Sequence, residues 1–191
     1  MKKIFTPETD YMSKKYNQSV EQEPVKYNLA RTIIEVHGLS AKDFVAYFAS
    51  QKAGKTEDDI RQILIANPDH YLSGNTKPDG SGDQMLIEAM GFFEKPMCYA
   101  LHTTNDPHDF PDKQLNGYPN FLCVRGIDYQ TGHYSGITAF HQFKPTEDGF
   151  IANLNLYFSA KYPLEMVRRH KLHLAIEFSN WLRAAYNRSH N

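Results

Sequence analysis

The chain has 191 residues, 41% of them hydrophobic and 13% aromatic, with acidic and basic residues interspersed to a net charge of −1. That length suits one compact core, and no stretch nears the roughly eighteen consecutive apolar residues that a membrane helix needs. Without a basic face there is no electrostatic grip for a phosphate backbone, so neither nucleic acid nor membrane is expected as a partner.

Residues 1–26 are polar and charged without sustained periodicity and read as an arm, leaving 27–191 as a single α+β domain. Lys2 and Lys3 are followed by Thr6, Glu8, Asp10 and Ser13 rather than by the apolar stretch of a secretory signal, which predicts a cytoplasmic chain. From Tyr27, Leu29, Ile33 and Val36 recur at helical spacing and Gly38 stands where a left-handed stop belongs, predicting a first short helix. Ser40 with Asp43 opens a second, whose apolar face is Phe44, Tyr47 and Phe48, with a stop near Gly54. Thr56 with Asp59 repeats the start signal; Ile60, Ile63 and Leu64 form the stripe of a third helix, and Pro68 ends it. The glycines and proline between Ser73 and Gly82 read as a loop, and Asp83 as the cap of a fourth helix through about Phe93, carrying Met85, Leu86, Ala89 and Met90.

Beyond Pro96 the period changes to two. Strands are predicted over Met97 to Thr103, Asn120 to Ile127, Tyr134 to Phe143 and Phe150 to Ala160, with Asp148-Gly149 as the clearest hairpin signal. Short turns between consecutive strands imply antiparallel pairing. Cys98 and Cys123 lie in these apolar runs and read as buried thiols rather than a disulfide. Pro163 then opens a long closing helix in which Leu164, Val167, Leu174, Phe178, Trp181 and Ala185 form an apolar stripe.

The passage Asp148-Gly149-Phe150-Ile151-Ala152-Asn153-Leu154-Asn155-Leu156-Tyr157-Phe158-Ser159 resembles the final strand of the SnoaL-like, or nuclear-transport-factor-like, superfamily. Gly132-His133-Tyr134-Ser135-Gly136 is similar to the turn before that family's penultimate strand, and Asn67-Pro68-Asp69 with Gly82-Asp83 to the passage entering its first strand. The resemblance spans about residues 40–160; Ser159 stands where the family often has an acid, and the closing helix is an extension. It implies N-terminal helices packed on a curved antiparallel sheet, cone-like, with a pocket for a small organic ligand and no cofactor. It also implies acid–base chemistry of the isomerase, dehydratase or cyclase kind.

Within such a cone His102 and His141 are the expected catalytic groups, because imidazole carries protons near neutral pH. Tyr47, Tyr99, Arg125, Asn153, Asn155 and Tyr157 are the expected substrate contacts. Alternation puts His141 with Ile137 and Ala139, and separates Asn153, Asn155 and Tyr157 from Leu154, Leu156 and Phe158. Which face is interior stays open; a closing helix on the leucines would leave the polar alternates for the cavity. The alternative is a non-catalytic binding or dimerisation module, and a homodimer is the expected assembly. No metal is expected: His102, Asp106, His108, Asp109 and Asp112 read as an ordinary acidic loop, and His170 with His173 as solvated helix surface. H-x-[ST] occurs at His102 and His133, too close together for a two-histidine phosphodiesterase. Nucleotide, dinucleotide and zinc-ribbon motifs do not appear.

Overall fold

The computed structural model describes residues 26–52, 56–77, 82–89, 96–129 and 131–190, so all but Lys26 of the expected N-terminal arm lies outside it. Strand β1 (Tyr27–His37) leads into helices α1 (Ala41–Lys52) and α2 (Glu57–Ala66). Then come β2 (His70–Asn75), β3 (Gln84–Glu88), β4 (Met97–Thr104), β5 (Asn120–Asp128), β6 (Tyr134–Pro145) and β7 (Gly149–Ser159), and last the helix α3 (Leu164–His190). The strands form one antiparallel sheet in the order β1-β7-β6-β5-β4-β3-β2. The class is α+β, with a long C-terminal helix, as expected. Among the described residues no helix is long and apolar enough to cross a membrane.

Two expected helices are strands. Tyr27–His37 pairs along its whole length with β7, from Tyr27 opposite Ser159 to His37 opposite Gly149. Thr32, Ile33, Ile34 and Val36 are β-branched, and that density favours a pleated strand over the helical spacing that three of the apolar residues happen to satisfy. Gly38 does take a left-handed φ of 72°, but to turn the chain after a strand, where its N–H donates to Asp148 O at 2.7 Å. Gln84–Glu88 is the second case: all five residues are buried, and a short run buried on both faces has no period to tell it from a helix. The rest of that expected helix, from Met90 to Phe93, lies outside the described residues. The expected loop over Ser73 to Gly82 begins as the end of β2, and residues 78–81 are outside the description.

The cap signals translate directly into bonds. Ser40 Oγ accepts from Asp43 N at 3.1 Å at the head of α1, and Thr56 and Asp59 exchange reciprocal bonds of 3.1 and 3.0 Å at the head of α2. Thr146 N–H closes the β6–β7 hairpin on Gly149 O at 2.9 Å.

The sheet has an inner face, covered by α3, and an outer one. Phe150, Ala152, Leu154, Leu156 and Phe158 of β7 share the main core with Leu174, Phe178 and Trp181 of α3. Phe44 of α1 joins the layers, its ring centroid 5.6 Å from Phe143, 5.8 Å from Phe150 and 6.2 Å from Phe178. Phe48 stacks on Phe178 at 5.6 Å and meets Trp181 edge-on at 5.3 Å. On the outer face Cys123, Phe140 and Tyr157 form a second cluster with Phe110 and Phe121, and Cys98 a third with Met85 and Ile87.

Two outcomes follow from this packing. A Cβ at Gly149 would overlap the Val36 carbonyl oxygen across the β1–β7 pair, so Gly149→Ala should lower unfolding stability by about 1–3 kcal/mol, read from the urea midpoint. Burial pushes both thiols up to about 12, so a thiol reagent should leave Cys98 and Cys123 unlabelled in the folded chain at pH 8 and label both in urea.

Candidate functional site

A cavity of about 90 Å³ lies between the inner face of the sheet and α3. Its walls are apolar over most of their extent, with Leu101, Val124, Ile137 and Leu156 from the sheet and Phe178 and Trp181 from the helix. The end beneath β2 and β3 is different: His70, Glu88, His170, His173 and Glu177 all border it.

Regular structure brings these groups together. His70 and Glu88 are opposite each other in the β2–β3 ladder and so share a face. His170, His173 and Glu177 follow one another at three- and four-residue steps on α3, which puts them on one stripe. His70 Nε2 lies 3.2 Å from Glu88 Oε2; His173 Nε2 lies 3.8 Å from that same oxygen and 3.5 Å from Glu177 Oε2. The far ring nitrogens face outward into fixed partners. His70 Nδ1 donates to Ile63 O at 2.7 Å, and His173 Nδ1 to Asp69 Oδ2 at 3.1 Å. Asp69 is itself placed by its N–H on Asn67 Oδ1 at 2.9 Å, while Asn67 Nδ2 donates to His173 O at 3.1 Å.

Burial and mutual charge set the protonation of this group. Burial opposes the imidazolium of His173, but hydrogen bonds to Asp69 and Glu177 and the carboxylate charges outweigh it and raise its pKa to about 10. His70 is also raised, burial being overcome by Glu88 and Glu177. Glu177 is held well below the usual carboxylate range, because the hydrogen bond and the charges of the neighbouring imidazoles exceed its desolvation. His170 goes the other way: burial, then the charge of His173 stacked on it at 4.3 Å, drives it well below 6.5 and keeps it neutral. The cluster therefore holds neutral and charged imidazoles side by side, which is the condition for a matched acid and base.

The residues expected from sequence are scattered relative to this cavity. His141 borders it, with its ring edge-on to Phe178 at 4.7 Å. Between the Ala139–Leu156 and Gln142–Asn153 rungs, Asn155 N–H donates to His141 Nδ1 at 3.1 Å, so the imidazole proton is on Nε2. Tyr99 also borders the cavity, its hydroxyl directed at Met97 Sδ at 2.8 Å. His102 is on the outer face, exposed, with Nδ1 3.2 Å from Asp83. Tyr47 is half-buried on α1 between Trp181 and the Arg188 guanidinium. Arg125 pairs with Asp109 at 2.6 Å and lies over the Tyr134 ring. Asn153, Asn155 and Tyr157 alternate away from Leu154 and Leu156 onto the outer face, where Asn155 Oδ1 accepts from Arg31 Nε at 2.8 Å and Tyr157 reaches Asp112 at 3.3 Å. The closing helix does cover the leucines, and the cavity lies under it on that same face, so the polar alternates point the other way.

Five of the cluster's members escape the sequence reading: His70, Glu88, Glu177 and, as buried groups, His170 and His173. Solvated helix surface is the wrong description of the last two, which are 3% and 1% exposed. Their signal is the interleaving of His170, His173 and Glu177 with Leu174, Phe178 and Trp181, since a titratable group on a helix's apolar stripe is buried with it.

No protein-family model matches the chain, and no curated protein does. Solved structures do. A point mutant of norcoclaurine synthase from Thalictrum flavum aligns with a TM-score of 0.51 at 12% identity, covering 88% of this chain and 99% of that one. A second structure of that synthase aligns at 0.49 and 14% identity, over 85% and 86% of the two chains. The likeness is one of fold: a helix-grip arrangement in which an antiparallel sheet holds a long C-terminal helix. With the SnoaL-like superfamily the chain shares the coarser class, an α+β sheet with a pocket on one face.

Removing the central cation separates this cluster from the surface pairs. His173→Ala leaves Asp69, Glu88 and Glu177 without their counter-charge and should cost about 3–5 kcal/mol of stability in urea titrations. His102→Gln, on an exposed ring, should stay within about 0.5 kcal/mol of the parent.

Proposed function

We propose that the chain binds a small organic molecule in the cavity beneath α3 and performs acid–base chemistry on it with the imidazoles at the polar end. One observation carries the reading: an apolar-walled cavity ends in buried, mutually shifted imidazoles and carboxylates. Burying charge is costly, and hydrophobic side chains of the same volume would hold a fold as well, so such a cluster favours a role beyond packing. The Thalictrum flavum mutant of similar fold is described in complex with a transition-state analogue, so a small-molecule ligand is compatible with this fold.

The residues suit proton transfer. Neutral His170, whose buried Nδ1 makes no hydrogen bond among the described residues, is the base, and His141, with its proton on Nε2, is the donor. Proton removal beside a carbonyl opens such reactions: an isomerase returns the proton at a neighbouring carbon, and a dehydratase delivers it to the departing hydroxyl group, which leaves as water. The cavity is small, about 90 Å³, which makes a single-ring compound the suitable probe.

Trp181 is the chain's single tryptophan and borders the cavity, which makes it the reporter. Phenol or cyclohexanone should change its fluorescence saturably, and Ala139→Phe, which fills the space, should weaken that response roughly tenfold or more. Equal responses from the two proteins contradict the pocket. For the chemistry, the α-protons of cyclohexanone should exchange with D₂O faster with the parent chain than with His170→Gln, measured by proton NMR. Equal rates contradict the assignment of His170.

A further inference from the structure

Chemistry-bearing clusters elsewhere on the described residues are accounted for locally. In the acidic loop Asp106 caps the turn at Pro107–Asp109, while Asp109 accepts from Thr104 and Arg125. The group at the end of the cavity is not accounted for in this way. We propose that His70, His173, Glu88 and Glu177 form a binding site for a divalent transition-metal ion. The proposal deepens the pocket reading and rests on it only for its location.

Donor geometry is the first argument. The ligand atoms of His70, Glu88 and His173 all lie within 4.8 Å of one another, with nearest separations of 3.2 and 3.8 Å, and Glu177 is 3.5 Å from His173. A tetrahedral centre with nitrogen and oxygen ligands at about 2.0–2.1 Å spaces its donors by roughly 3.3 Å. Small side-chain adjustments close the difference.

Tautomers give the second argument. A carbonyl oxygen only accepts, so the hydrogen bond to Ile63 O puts a proton on His70 Nδ1. The bond from His173 Nδ1 to the Asp69 carboxylate does the same for that ring. Both imidazoles are thus oriented from behind with Nε2 turned to the centre, the pattern by which outer partners fix metal-ligating histidines. The third argument is an unmet need. His70 Nε2 is buried and makes no hydrogen bond among the described residues, although Glu88 Oε2 lies 3.2 Å away. Without a proton on Nε2 two lone pairs would face each other out of water, so a cation, a proton or the metal that displaces it, belongs between them.

Ligand type selects the ion. Two imidazoles with carboxylates suit zinc, iron(II), cobalt(II) or manganese(II), whereas magnesium and calcium prefer oxygen alone. The strand pair and the helix stripe hold the donors on rigid elements, and with His70, His173 and Glu88 as ligands the fourth position is taken by Glu177 or, from the cavity side, by a substrate oxygen.

The test uses the full, untagged chain, stripped with chelator at pH 7.5. Calorimetric titration with Zn²⁺ and metal analysis after dialysis should give one ion per chain, and Co²⁺ loading should give the visible absorption of a low-coordinate nitrogen–oxygen centre. Glu88→Gln and His70→Gln should lose the Co²⁺ spectrum. Asp69→Asn, which touches no metal, should weaken Zn²⁺ binding roughly 10–100-fold. His108→Gln, in the exposed loop, should leave affinity unchanged. Circular dichroism checks each fold, and Glu177→Gln, at the half-buried position, stands in for a variant that fails to fold. The proposal is overturned if the parent takes up no stoichiometric metal, which would leave protons alone to hold the cluster. It is equally overturned if Zn²⁺ affinity is unchanged in Glu88→Gln. Loss of the Trp181 response to phenol alone would remove the organic ligand and leave the metal site standing.

Discussion

A group of imidazoles and carboxylates shut out of water where α3 crosses β2 and β3 is the constraint that orders the rest of the molecule. An isolated ion in such a place would cost more than the roughly 5–15 kcal/mol by which a domain is stable. Asp69, Glu88 and Glu177 are therefore tolerable only with His70 and His173 against them, and that requires α3 to sit at one height and one rotation. The apolar half of the helix must agree. Phe178 and Trp181 meet that demand by packing on Phe44 and Phe48 while His173 reaches Glu88. Two side-chain bonds to backbone then tie the end of α2 to the helix: Asn67 Nδ2 to His173 O and Asn180 Nδ2 to Ala66 O.

This arrangement divides the space beneath the helix into two chemistries. One end is apolar and aromatic and offers shape; the other offers proton donors and acceptors. The outer face of the same sheet is polar too, yet several of its groups are engaged with one another. Arg31 holds Asn155, Arg125 holds Asp109, and Tyr157 meets Asp112. Polar residues on a strand are thus no guide to a site until the covering helix says which face is closed.

Local signals were legible where one element could satisfy them alone. The caps at Ser40 and Thr56, the Asp148-Gly149 hairpin, the strands from β4 to β7 and the stripe of α3 all express short-range preferences that tertiary packing left intact. β1 was misread because its spacing satisfied a helical template while its β-branched residues and its partner, more than a hundred residues away, decided otherwise. β3 was misread because burial on both faces erases the period. His141 could be found by counting along a strand; the cluster could not. Its members come from residues 70, 88, 173 and 177, and each alone has an ordinary explanation. Only the ladder that opposes His70 to Glu88, and the helix laid across it, turn them into a site. The polar alternates of β7 were legible as a face, but their direction depended on where α3 packed.

The most direct measurement is an anomalous difference map from crystals of the chain grown with Zn²⁺, collected above and below the zinc absorption edge. The account predicts a single strong peak within bonding distance, about 2.0–2.2 Å, of His70 Nε2, His173 Nε2 and a Glu88 oxygen, at the polar end of the cavity. A map with no density there, and a water or a shared proton bridging His70 and Glu88 instead, would contradict it.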